Sequence, residues 1–119
     1  MQQETGNTGM HEITDIEELD RLKTTGAVFI LFGGKLCNVC HAIRPQIVNM
    51  LDSHYPDITS VYIDCETSSE ICAQYNVFTL PVVQFYIDGM KITEFARSFS
   101  VEQLKQSMHR SYTMWHENQ

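Results

Sequence analysis

The chain of 119 residues is long enough for one domain with its own hydrophobic core and too short for two. Apolar residues make up 43% and charged residues 19%, the balance of an ordinary globular protein. A formal net charge of −7, with no run of Lys or Arg, argues against binding to nucleic acid or to an anionic membrane, because both require a basic face. We therefore expect neither as a partner.

The N-terminal residues are polar and carry no periodic pattern, so we expect a disordered leader over residues 1–10. They lack the basic segment and the apolar segment of a secretory signal. The longest apolar run, Ala27–Phe32, is far too short to span a membrane. These features predict a cytoplasmic protein, in which closely spaced cysteines tend to be catalytic or metal-binding.

The first half of the folded region alternates between helix and strand signals. A capping box at residues 14–17 opens a short helix that ends near Gly26. The run Ala27–Phe32 predicts a central strand buried on both faces. Behind the motif CNVCH, a helix with one apolar face runs to about His54, and Pro45 inside it is expected to kink it.

The second half predicts a strand at Thr59–Asp64, a short helix at Ser68–Tyr75 and a hairpin. The hairpin strands, Pro81–Ile87 and Lys91–Ala96, are joined by the turn signal Asp88-Gly89. A last helix begins at Ser100 and ends the domain, taken as residues 11–112; the tail at 113–119 either extends this helix or frays. The order αβαβαββα predicts an α/β fold with a central mixed four-stranded sheet and helices on both faces.

The motif CNVCH, Cys37 to His41, fits three chemistries: a redox dithiol, attachment of a c-type haem, or half of a zinc site. Haem attachment would need export and space for a large macrocycle. Zinc would need further ligands, and the seven-residue spacing of Cys65 and Cys72 is wider than that of a typical ligand pair. We therefore favour the dithiol and expect no metal and no cofactor.

A dithiol at this place has a physical rationale. The start of a helix offers unpaired N–H groups and the positive end of the helix dipole, which favour a thiolate. With two residues between them, Cys40 can reach back one turn and attack a mixed disulfide on Cys37.

Four landmarks in order, Cys37/Cys40, Pro45, Pro81 and Gly89, resemble the thioredoxin family over roughly residues 13–110. The resemblance implies a thioredoxin fold in which Pro81 is cis and faces the cysteine pair. It also implies that Cys37 is the exposed nucleophile and Cys40 the buried resolving thiol.

The activity implied is that of a thiol–disulfide oxidoreductase acting on disulfide-containing protein substrates and contributing to cell redox homeostasis. A thioredoxin reductase or a low-molecular-weight thiol would restore the dithiol. The residues expected to contact the substrate surround the cysteines and the cis-proline: Leu36, Asn38, Val39, Leu80, Pro81 and Arg97.

The sequence departs from the family pattern at several positions. The usual Trp-Cys-Gly-Pro-Cys is Leu-Cys-Asn-Val-Cys here, and the family's buried carboxylate and its basic partner fall at Leu31 and Ser60. These losses favour an alternative, a thioredoxin-fold binding or redox-sensing module with weak or no catalytic turnover.

Three further side chains have an open role. His41 either tunes the thiols near neutral pH or is simply an exposed helix residue. Cys65 and Cys72 are either buried structural cysteines, which we favour, or a second, regulatory thiol pair.

Overall fold

The computed structural model of the chain describes residues 9–119. Its strands are β1 (His11–Glu12), β2 (Ala27–Gly33), β3 (Thr59–Asp64), β4 (Val82–Ile87) and β5 (Met90–Ala96). Its helices are α1 (Ile16–Leu22), α2 (Asn38–His54), α3 (Ser69–Gln74) and α4 (Val101–Glu117). No helix in this part of the chain is long and apolar enough to cross a membrane.

The strands form one mixed sheet in the order β1-β3-β2-β4-β5. The pairs β1–β3 and β2–β3 are parallel, whereas β2–β4 and β4–β5 are antiparallel. Every residue of β2 is buried, which explains its unbroken apolar sequence: helices cover both faces of the central strand.

The sheet has five strands instead of the predicted four. The additional strand is β1, where His11 and Glu12 pair with Val61 and Tyr62. Both of its residues are exposed and polar, so the segment has no apolar alternation that could have indicated a strand.

Alternate residues of β2 point to opposite faces and enter two apolar clusters. On one face Phe29 and Leu31 pack with residues of α2 and α4, including Ile47, Leu104 and Met108. On the other face Ile30 and Phe32 pack with residues of α1 and α3, including Leu19 and Ile71. Each of these large side chains contributes about 1.5–3 kcal/mol through burial, and together they hold the end of β2 in place.

The hairpin predicted from Asp88-Gly89 is confirmed by the antiparallel pairing of β4 with β5. Both turn residues have positive φ, 49° and 86°, as a tight hairpin turn requires. The Asp88 carboxylate also accepts a hydrogen bond from the Gly26 N–H at 2.7 Å, which ties the turn to the loop before β2.

Residues near both ends of the described chain pack against the domain. Residues 1–8 of the predicted leader lie outside the described residues, but Met10 is buried in the cluster that contains Phe29 and Leu31. Helix α4 continues to Glu117, through most of the stretch predicted to be a tail. Trp115 is partly buried and packs against the same cluster, and this contact favours the longer helix.

Cys65 and Cys72 form a disulfide between the end of β3 and helix α3, with their Cα atoms 5.7 Å apart. From the sequence we favoured buried structural cysteines at these two positions over a second thiol pair. The structure joins the two residues in a disulfide. Cys72 is buried and Cys65 half-buried. The Cys65 N–H also donates to the Gly33 carbonyl at 2.8 Å, so this disulfide adjoins the end of the central strand.

We expect this disulfide to stabilise the oxidised protein, because it limits the conformations of the unfolded chain. In a background with Cys37 and Cys40 both changed to Ser, the double change Cys65→Ala/Cys72→Ala should lower the free energy of unfolding by about 2–3 kcal/mol. Urea unfolding measures the effect. In dithiothreitol most of the difference in the free energy of unfolding should disappear. An equally large difference between the reduced proteins would contradict a stabilising role of the disulfide.

Candidate active site

Cys37 is the N-cap residue of α2, directly behind the loop that follows β2. Its Sγ accepts a hydrogen bond from the Cys40 N–H at 3.2 Å. The first turn of α2 contains no acidic residue that would oppose negative charge at this end. The sulfur thus lies where unpaired helix N–H groups and the helix dipole favour a thiolate.

Cys37 and Cys40 are joined in a disulfide, with their Cα atoms 5.3 Å apart. The two residues differ in access to solvent: Cys40 is 2% exposed, whereas Cys37 is partly exposed. An incoming group could therefore reach Cys37 and not Cys40.

Exposed apolar side chains lie beside the cysteines in the chain and in the loop that leads to Pro81. Leu36 is 87% exposed and Val39 54% exposed, and Asn38 between the cysteines is exposed as well. Phe78, which the sequence analysis did not select, is 77% exposed in the loop before Pro81. Large apolar side chains in solvent close to a reactive group are typical of a surface that contacts another molecule.

The loop containing Leu80 and Pro81 lies against the loop that carries Cys37. The Leu80–Pro81 peptide bond is cis, Leu80 is half-buried and Pro81 is buried. The two loops approach each other at Gly34, since a Cβ atom built at this position would lie 3.3 Å from Leu80 Cδ1. The fold thus brings together two segments that are far apart in sequence.

Arg97 reaches this region through its backbone. Its N–H donates to the Pro81 carbonyl at 2.7 Å, while its side chain is exposed. Its φ of 74° lies in the left-handed region that favours glycine.

Glu66 is a neighbour of the site that sequence reasoning missed. Its Oε2 accepts a hydrogen bond from the Leu36 N–H at 3.0 Å, one residue before Cys37. Glu66 follows β3, which is parallel to β2, so the carboxyl ends of both strands meet here. The sequence did offer an indication of this contact, because Glu66 is a polar residue two positions after the predicted strand Thr59–Asp64.

His41 is exposed, and its Nε2 lies 2.7 Å from the Lys35 carbonyl oxygen. The ring thus connects the first turn of α2 with the loop before it.

Neither Leu31 nor Ser60, the positions where the family has its buried acid and the basic partner, supplies a charge. Leu31 is fully buried, and the Ser60 hydroxyl donates to the Gly9 carbonyl at 2.6 Å.

Comparisons with known proteins agree with this geometry. A family model described as Thioredoxin matches residues 12–110. The chain is 33% identical over 108 residues to the thioredoxin-like protein YdfQ of Bacillus subtilis (strain 168), covering 91% of this chain and 94% of that protein. It is 27% identical over 84 residues to thioredoxin-3 of Dictyostelium discoideum, covering 71% and 80%.

Solved structures show the same fold at lower identity. Oxidised thioredoxin O2 from Arabidopsis thaliana superimposes with a TM-score of 0.75 at 24% identity, covering 88% of this chain and 96% of that one. Oxidised mitochondrial thioredoxin 3 from Saccharomyces cerevisiae gives 0.74 at 22% identity, covering 86% and 96%. The chain therefore has the thioredoxin fold and belongs to the thioredoxin family.

Proposed function

We propose that the protein is a cytoplasmic thiol–disulfide oxidoreductase that exchanges disulfides with protein substrates through Cys37 and Cys40 and contributes to cell redox homeostasis. The observation that supports this best is the unequal access to the two sulfurs at the start of α2. Cys37 is partly exposed at the N-cap and Cys40 is buried.

The reaction follows from this asymmetry. The Cys37 thiolate attacks a substrate disulfide, so one substrate sulfur leaves as a thiolate and a mixed disulfide forms. The Cys40 thiolate then attacks Cys37 Sγ, which releases the second substrate thiolate and closes the internal disulfide. A pair of electrons passes from the cysteines to the substrate, and the two released thiolates take protons from water.

The bond from the Cys40 N–H to Cys37 Sγ supports both halves of this cycle. It lowers the cost of negative charge on Cys37, which favours attack on the substrate. When the internal disulfide is reduced again, the reductant attacks the accessible Cys37 Sγ and Cys40 leaves; the same stabilisation then makes Cys37 a better leaving group when a second reductant thiol resolves the mixed disulfide on Cys37. For that last step we propose a thioredoxin reductase or a low-molecular-weight thiol.

Substrate binding is assigned to the exposed apolar residues around Cys37 together with the cis-proline loop. Leu36, Val39 and Phe78 offer apolar contact. An extended substrate segment can pair with the Leu80 backbone beside Pro81, in the manner of an added strand. Asn38 and the Arg97 side chain, both exposed, add polar contacts.

A second candidate function is a binding or redox-sensing module with weak or no turnover. The observation that favours it is the absence of charge at Leu31 and Ser60, where the family has a buried acid and its basic partner. Such a module would dock a partner on the same exposed apolar residues without releasing it through Cys40.

Reduction of insulin by dithiothreitol separates the two functions. The wild type should accelerate precipitation of the insulin chains, and Cys37→Ser should reduce the rate to that of dithiothreitol alone, because the attacking thiolate is lost. The Cys65→Ala/Cys72→Ala variant serves as the matched control for loss of a disulfide and should still accelerate the reaction. A wild type no faster than the reductant alone would favour the binding module.

Phe78→Ala should weaken the use of a protein substrate more than that of a small disulfide reagent, since a small reagent does not reach the exposed apolar residues. Loss of one large apolar contact should raise KM for insulin by about tenfold. Met90→Ala is the matched control, because Met90 is 68% exposed at the opposite end of β4. Equal effects of the two changes on KM would argue against a docking role for Phe78.

A further inference from the structure

Tyr62 lies on the face of the sheet that holds Cys40. It is the β3 partner of Leu31, the position where the family has its buried acid. Both side chains enter the cluster that α2 covers with Ile43 and Ile47, and Tyr62 is only 6% exposed. The aromatic ring therefore stands next to the place where a charge is missing.

Gly33 lies between the Tyr62 hydroxyl and Cys40, and its lack of a side chain leaves a small space that both groups border. A Cβ at Gly33 would lie 2.9 Å from the hydroxyl oxygen and 3.3 Å from Cys40 Cβ. The hydroxyl and the side chain of Cys40 thus border the same small volume.

Arg44 places a positive charge on the same ring. Its Cζ lies 3.9 Å from the centre of the Tyr62 ring, and it is one helical turn beyond Cys40 on α2. Its Nε is buried and has no hydrogen-bond partner among residues 9–119. A guanidinium held this way over the face of a phenol draws charge from the ring and strengthens the hydroxyl as a donor.

We propose that Tyr62 and Arg44 stabilise the Cys40 thiolate during its attack on the mixed disulfide, which the absent acid and base at Leu31 and Ser60 cannot assist. The inference rests on the proposed oxidoreductase function. Tyr62 acts on the reacting sulfur by donating its hydroxyl proton in a hydrogen bond, and Arg44 is a positioning residue that acts through the ring.

The proton balance is simple. Cys40 loses its thiol proton to water, its thiolate forms the bond to Cys37 Sγ, and the bond from Cys37 to the substrate sulfur breaks. The leaving thiolate takes a proton from water. Tyr62 keeps its own proton throughout and therefore acts as a donor and not as a base.

The surroundings of Tyr62 keep it protonated. Burial raises its pKa above the ordinary value, and so do the negative charges of Asp64 on β3, Glu12 on β1 and Glu66 in the loop after β3. Arg44 on α2 is the cation that lowers the pKa. Once the disulfide is reduced, Cys40, whose Cβ borders the same space as the hydroxyl, adds a thiol to these surroundings.

The test is the titration of Cys40 in reduced Cys37→Ser protein, followed by the NMR shift of its ¹³C-labelled Cβ. With Cys37 removed, the midpoint belongs to Cys40 and not to a coupled pair. Tyr62→Phe keeps the ring and removes the donor, so the midpoint should rise by about one pH unit. Arg44→Gln should also raise it, and Arg44→Lys, which keeps the charge, should recover part of the shift.

Tyr86→Phe is the matched control, because Tyr86 is 7% exposed and belongs to the cluster on the opposite face of the sheet. It removes a buried hydroxyl without touching Cys40 and should leave the midpoint unchanged. A midpoint that is the same in the parent, Tyr62→Phe and Arg44→Gln proteins overturns the inference. If Tyr62→Phe does not fold, the midpoints of Arg44→Gln and Arg44→Lys are compared instead. Equal midpoints in these two proteins then overturn the inference.

The result can be separated from that of the proposed function, because the midpoint is measured without turnover. A protein that reduces insulin but shows no shift of the midpoint overturns this inference alone. A clear shift in a protein without insulin reduction overturns the oxidoreductase function and leaves the stabilised thiolate in place.

Discussion

The buried strand β2 is the constraint on which the rest of the structure depends. All seven of its residues are buried between two layers of helices. Its rigid end fixes the short loop that leads into α2, and so fixes Cys37 at the N-cap. The position of the cysteine pair therefore depends on the apolar packing of β2, and the helix terminus supplies the electrostatics once the strand has placed it there.

The elements that carry strong periodicity could be predicted from the sequence, and their physical basis is clear. The apolar run of β2, the apolar face of α2 and the turn residues Asp88-Gly89 each reflect a local rule of burial or backbone conformation. The strand β1 could not be predicted, because its two exposed residues join the sheet through backbone hydrogen bonds alone. The sequence left open whether α4 continues past residue 112, because the answer depends on a tertiary contact, the packing of the partly buried Trp115 against the core.

The residues of the candidate site also divide into those that the sequence predicted and those that it did not. Cys37, Cys40 and Pro81 were found from their order in the chain, since a family pattern preserves order. Glu66, Phe78 and Tyr62 were missed because their relevance depends on which loop or strand lies beside which. The pairing of Cys65 with Cys72 needed the separation of their Cα atoms, 5.7 Å, which a spacing in sequence does not reveal.

Gly33 and the Tyr62 ring occupy complementary parts of one space. A side chain at position 33 would meet both the Tyr62 hydroxyl and Cys40. Position 33 and position 62 are therefore coupled by volume: a family member with a larger residue at the first has no room for a tyrosine at the second. In this chain, the space behind the cysteines is therefore filled from position 62 on β3 and not from position 33 on β2.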